Sequence, residues 1–166
     1  MLSSPVNGVS YRYVTQETPG AMYMSCELAA ALYEMSALLR EYDVVEVGHI
    51  GTYNCRVISG TDILSEHGKG TAIDFKWFRT ADGHVYDVED HWEHDTENFQ
   101  TAEGAWLYEL GQQMFARRIF NIILTPNYNA AHDNHFHVDL TEGGRYIGRA
   151  DGWDGHVHMG PNPHGD

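Results

Sequence analysis

Ser65-Glu66-His67-Gly68-Lys69-Gly70-Thr71-Ala72-Ile73-Asp74-Phe75-Lys76-Trp77-Phe78 joins a Gly-rich turn to a stretch with strand periodicity. From Thr71 to Phe78, Ile73, Phe75 and Trp77 alternate with Ala72, Asp74 and Lys76. Successive side chains of a strand point to opposite faces, so the large apolar set is expected on a core and Asp74 on the other side. His67 stands in the loop that enters this strand.

A second stretch, His132-Asp133-Asn134-His135-Phe136-His137-Val138-Asp139-Leu140, repeats the pattern. Strand periodicity over His135–Leu140 puts His135, His137 and Asp139 on one face and Phe136, Val138 and Leu140 on the other. An apolar face packs on a core, whereas a face of imidazoles and carboxylates needs partners. If the two strands are neighbours, Asp74 and His137 converge and His67 reaches the same point from its loop. Two imidazoles and one carboxylate suit Zn²⁺, with a fourth position left for water, as catalytic rather than structural zinc sites require. Zinc in such a site acidifies its water and polarises a carbonyl. The other histidines carry no such pattern. His84, His91 and His94 lie among acidic residues and turns and read as ordinary surface positions; His156, His158 and His164 fall in a Gly/Pro-rich tail expected to be mobile.

Outward from these segments the chain reads as a mixture of helices and strands. Leu28, Leu32, Met35, Leu39 and Tyr42 recur at helical spacing from Ser25 onward. Val44–Ile50 reads as a strand, Val85–Val88 as a short one, and Ile119–Leu124 as another that stops at Pro126. Trp106, Leu107, Leu110 and Met114 mark a second helix closed by Arg117 and Arg118, and Asn127–Asp133 is expected to be a loop. Residues 1–20 are rich in Ser, Pro, Gly and Thr and are expected to wrap the surface; residues 141–166 are expected to be irregular. The absence of regular βαβ alternation points to one α+β domain over 1–166, with an antiparallel or mixed sheet.

Composition narrows the partners. The chain has 166 residues, 24 acidic against 10 basic, for a net charge of −14. That balance argues against a nucleic-acid backbone or an anionic lipid surface as partner, since both are bound through Lys and Arg. A self-repelling surface is the plain reading, and a basic inhibitor or immunity protein is the partner such charge permits. No apolar run reaches the roughly 20 residues of a membrane-spanning helix. No charged-then-apolar leader occurs within Met1–Gly20. Cys26 and Cys55 are too few for a four-Cys metal site; in an oxidising compartment they can pair, and otherwise they are expected as buried thiols.

Ser-x-His-x-x-Gly-x-Ala-x-Asp at Ser65–Asp74, followed by His-x-His at His135–His137, resembles the signature of the zinc D-Ala-D-Ala metallopeptidase superfamily. That group also holds the lysostaphin-type endopeptidases and the Hedgehog signalling domain. Together with Gly51-Thr52-Tyr53-Asn54-Cys55-Arg56 and Asn129–His137, these segments resemble the bacterial extensin-like C-terminal family, over about Cys26 to Leu140. The resemblance implies His67, Asp74 and His137 as zinc ligands and a small sheet flanked by helices, of the Hedgehog/DD-peptidase type. It also implies stem peptides or cross-links of peptidoglycan as substrate, hence a periplasmic or secreted place of action. If Met1 is the native start, delivery without a classical leader is expected, for instance as an injected effector or a phage lysis enzyme.

Further residues follow from the same likeness. Arg56 falls where relatives keep an arginine that binds substrate, although a structural salt bridge is the equal alternative. Ser65 either hydrogen-bonds substrate or caps the ligand loop. Cys26 and Cys55 match positions that imply a disulfide between the first helix and the Arg56 loop. One departure stands out: many relatives carry Glu or Asp as general base three residues before the last zinc histidine, and here that residue is Asn134, which cannot take a proton. His135 is then the expected base, as in superfamily endopeptidases that resemble this chain in having His-x-x-His-x-His. His132 then assists or binds substrate, and Asp133 is the weaker alternative base. Should neither serve, a zinc-containing binding module for peptidoglycan or protein remains; an amidase or carboxypeptidase differs only in the bond cut.

Overall fold

The structure, a computed structural model, describes residues 1–96 and 98–148. In chain order the elements are β1 (Leu2–Ser3), β2 (Ser10–Tyr13), β3 (Ala21–Met22), α1 (Cys26–Glu41), β4 (Val44–Gly51), α2 (Glu66–Lys69) and β5 (Ala72–Thr80). There follow β6 (Val85–Asp87), α3 (Val88–His91), α4 (Ala102–Ala116), β7 (Ile122–Leu124), a 3₁₀ turn (Ala130–His132), β8 (Phe136–Asp139) and β9 (Tyr146–Ile147). The main sheet runs β2-β4-β5-β8-β7-β9, with β6 alongside the outer half of β5. It is mixed: β4, β5, β8 and β7 pair antiparallel, while β2 and β9 join the edges in parallel. The architecture is α+β, as the sequence predicts.

Helix α1 begins at Ser25, whose side chain accepts from Leu28 N, and buries Leu28, Leu32, Met35 and Leu39. Thr101 caps α4 in the same way, and Leu107, Leu110 and Met114 form its buried stripe. Both stripes enter one core with Ile73, Phe75, Phe78, Ile123, Phe136 and Val138 of the sheet. Covering that face leaves the reverse face of β5 and β8 for polar side chains. In the central ladder Asp74 sits directly opposite His137, with Ile73 opposite Val138 and Phe75 opposite Phe136. Directly opposed residues share a face with Cβ atoms roughly 5 Å apart, so strand pairing by itself brings the carboxylate to the imidazole.

The structure changes several expectations. Trp77 does not join Ile73 and Phe75 in the core. Between the pairs Gly48↔Trp77 and His49↔Phe75, β5 advances two residues and β4 one, which makes Lys76 the extra residue of a bulge. The bulge inverts the alternation: Phe78 is fully buried, while Trp77 crosses the outer face. A Cβ at Gly48 would lie 2.0 Å from the Trp77 ring, so the indole can cross there only because Gly48 has no side chain. Arg12 and Arg79 stand over the same ring at 4.9 and 5.2 Å.

Residues 1–20 do more than wrap the surface, because β2 is an edge strand of the main sheet and Val9 and Tyr11 are fully buried. The strand expected at Ile119 starts at Ile122, because Arg118 leaves α4 with φ +57° and turns the chain first. The strand expected to reach Val88 ends at Asp87, whose carboxylate instead caps α3. The segment after Thr141 is not wholly irregular, for Tyr146–Ile147 pairs with β7. His156, His158 and His164 lie outside the described residues. Among those residues no helix is long and apolar enough to cross a membrane.

Candidate metal centre

Each element of Ser65–Asp74 has a physical task. Ser65 is the N-cap of α2, its hydroxyl accepting from Gly68 N at 3.1 Å and donating to the Arg56 carbonyl at 2.9 Å. Of the two readings of Ser65, the structure displays the cap. Gly70 ends the turn at φ +74°, a left-handed conformation that glycine adopts freely. Ala72 is fully buried opposite Asp139. The short turn therefore holds His67 over the start of β5, where Asp74 rises two residues after Ala72.

His67 Nε2, Asp74 Oδ1 and His137 Nδ1 form a near-equilateral triangle: 3.1 Å from His67 to Asp74, 3.1 Å from His67 to His137 and 2.9 Å from His137 to Asp74. These three residues form a group able to hold a metal ion. The edges approach the roughly 3.3 Å expected between ligands of a tetrahedral zinc with bonds near 2.0–2.1 Å. The outer ring nitrogens support the same reading. His67 Nδ1 donates to the Thr52 carbonyl across a long 3.4 Å, and His137 Nε2 donates to Asp139 Oδ2 at 3.0 Å. With those hydrogens turned outward, both inner nitrogens can face the centre as lone pairs.

Electrostatics also favour a cation here. Burial works against charge on His137, yet its bonds to Asp139 and Asp74 prevail and raise its pKa to about 9. Burial would raise Asp74, but hydrogen bonds from His137 and His67 hold its carboxyl far below the usual range. Asp139, fully buried, also accepts from Thr141 N at 2.8 Å. Its alternation with His137 was visible in the sequence, but its role as anchor of the ligand ring came only with the contact.

His135 lies beside the triangle, its Nε2 3.6 Å from Asp74 Oδ1. Its Nδ1 donates to Asn134 Oδ1 at 2.7 Å, so the other nitrogen carries the lone pair on the side of Asp74. Burial lowers the His135 pKa, with Asp74 pulling the other way, and the ring is neutral near pH 7. His132 is further out. Its Nδ1 donates to Asn129 Oδ1 at 2.7 Å, and its ring packs 5.3 Å from His135 and 5.7 Å from His137.

Arg56 is exposed and makes no ion pair among the described residues. Cys26 and Cys55 are free and exposed, which corrects the alternative of buried thiols. Cys55 instead meets the Tyr53 hydroxyl, whose pKa it raises. His84 is the weakly paired surface residue expected, 3.4 Å from Glu103, while His91 Nδ1 accepts from Asp87 N at the base of α3. The residue missed from sequence is His49. It lies in a strand otherwise read for its apolar pattern, and nothing in its immediate neighbours marks it.

Sheet, turn and donor set define an α+β protein with a buried His₂-carboxylate site able to hold a metal ion. The family model described as "Extensin-like protein C-terminus" matches residues 6–148, and the chain belongs to that family. The match reaches beyond the motif-bearing region into both edge strands, β2 and β9. No curated protein and no solved structure matches the chain significantly.

Proposed function

We propose that this protein is a zinc-dependent peptidase that hydrolyses peptide bonds in peptidoglycan stem peptides or cross-links, on the D-Ala-D-Ala metallopeptidase plan. The observation that carries the reading is the triangle of His67, Asp74 and His137 with both outer ring nitrogens tied back and His135 alongside. Zinc held there would supply Lewis-acid polarisation of the scissile carbonyl and acidification of water.

The chain's own residues divide the remaining work. Asp139 and the Thr52 carbonyl fix the two ligand rings. Asn134 stands where relatives place a carboxylate base, and its bond to Nδ1 orients His135 so that neutral Nε2 can take a proton and return it to the leaving amine. His132 packs behind His135 and assists the transfer. Arg56, exposed on the loop that also supports Ser65, is free to bind a substrate carboxylate or carbonyl. A periplasmic or secreted place of action follows from the substrate.

The test uses the zinc-loaded chain and cross-linked muropeptides with products read by mass. New amines that vanish with chelator support peptidase action. His135→Ala should lower turnover by about 10²–10⁴-fold with zinc content kept. Full activity in that variant would overturn the role of His135. Asn134 favours a second reading, a zinc-containing binding module; peptide binding without any new amine would establish it instead.

A further inference from the structure

His49 lies in the second half of β4, 5% exposed, and its Nδ1 has no hydrogen-bond partner among the described residues. A buried polar atom left unpaired costs about 1–3 kcal/mol, and this one belongs to a ring that lines a cavity. The cavity is there. About 190 Å³ in volume, it is bounded by His49, Thr52, Tyr13, Gln16, Tyr23 and Tyr53 among others. It exceeds the roughly 150 Å³ of an engineered cavity known to admit benzene, so one side chain of a peptide fits.

Its position ties it to the metal centre. Thr52 belongs to both: it lines the cavity, and its carbonyl accepts from the ligand His67. The Thr52 hydroxyl donates to the Tyr23 carbonyl at 2.9 Å, which holds one side of the cavity to the other. Tyr23 and Tyr53 are 63% and 54% exposed and give it an aromatic rim. A peptide whose reacting bond lies at His67 would therefore have a neighbouring residue at this opening.

The chemistry of the wall selects the guest. No charged side chain lines the cavity. Burial pushes the His49 pKa down to about 4, so near pH 7 the ring is neutral and offers one donor and one acceptor. A carboxylate entering here would meet no cation on the wall to offset its lost hydration. A carboxamide both donates and accepts and carries no charge, whereas a carboxylate only accepts.

We propose that the His49 cavity is a specificity pocket for a carboxamide-bearing residue of the peptide substrate, discriminating against the corresponding carboxylate. The proposal rests on the peptidase reading for its substrate class. Its test uses two short peptides that differ only in one side chain, glutamine in one and glutamate in the other, with the full chain in zinc-free and zinc-loaded forms. The glutamine peptide should bind at least tenfold more tightly in both and shift the His49 ring-nitrogen resonances. His49→Phe should abolish that preference at unchanged zinc content. Because this substitution falls in the sheet, Ala21→Trp at the exposed mouth provides a second block and should do the same. Equal affinities for the two peptides, or a preference that survives both substitutions, would overturn the pocket. A preference without cleavage supports the pocket and counts against peptidase action; cleavage without a preference does the reverse.

Discussion

The two halves of β5 show how one strand makes two unlike polar surfaces. In the inner half Asp74 meets His67 and His137, whose side chains are 5% and 8% exposed. In the outer half, from the bulge onward, Lys76 meets Asp87 at 2.8 Å and Glu89 at 2.6 Å, and Glu89 is 58% exposed. The distances are alike, so distance does not separate them. What differs is the sign and freedom of the donors. Around Asp74 the inner nitrogens of two buried histidines converge with a second carboxylate, Asp139, close behind, and no Lys or Arg bonds to Asp74 among the described residues. Around Lys76 one ammonium is shared by two carboxylates, and one of these is solvated. The first arrangement calls for a cation; the second is complete.

That contrast can be broken by substitution. The largest effect is expected from Asp74→Asn, which removes a ligand. Zinc affinity should fall by more than the roughly 10–100-fold typical of a supporting residue, and activity should go with it. Zinc titration against a competing chelator measures this; retention of tight zinc would sink the assignment of Asp74. Next comes Asp139→Asn, which leaves all three ligands in place but loosens the anchor of His137. It should weaken zinc by about 10–100-fold, and an unchanged affinity would show that the anchor carries no weight.

Acid sharpens the comparison in another way. His49, behind the inner half, has a folded pKa of about 4 against an ordinary 6.5, so the unfolded chain takes up this proton first. Its contribution is therefore full above pH 6.5 and lost as pH falls from 6.5 towards 4, by at most about 3 kcal/mol. Urea unfolding across that window should give a flatter profile for His49→Gln than for the parent chain. Identical profiles would mean that burial of His49 is not what makes it a weak base. The smallest effect belongs to the outer half: Lys76→Met should cost no more than about 1 kcal/mol, because an ion pair with a solvated partner contributes little. A loss of several kcal/mol on urea unfolding would place Lys76 in a buried network instead.

How much of this could be read in advance depends on the range of the interaction. Helix α1 was legible because Ser25 and the Leu28, Leu32, Met35, Leu39 stripe are local signals. The opposition of polar and apolar faces at Asp74 and at His137 was legible for the same reason. Trp77 was misplaced because a bulge depends on the partner strand: Gly48, nearly thirty residues earlier, is what lets the indole cross. The edge strand at Ser10–Tyr13 is not legible in sequence because its hydrogen bonds go to β4 and the segment around it is rich in Ser, Pro, Gly and Thr. His49 escaped for a like reason, since its interest lies in a missing partner and an adjoining cavity.

By itself the sequence determined the helix stripes, the strand alternation and the candidate donors His67, Asp74 and His137, because periodicity and residue chemistry are properties of neighbours along the chain. Tertiary structure decided that β5 and β8 are adjacent in a register that opposes Asp74 to His137. It also decided that Asp139 and Thr52 hold the ligand rings, that Asn134 turns His135, and that His49 faces a cavity. Those depend on hydrogen bonds and burial between segments up to seventy residues apart, which no local pattern encodes.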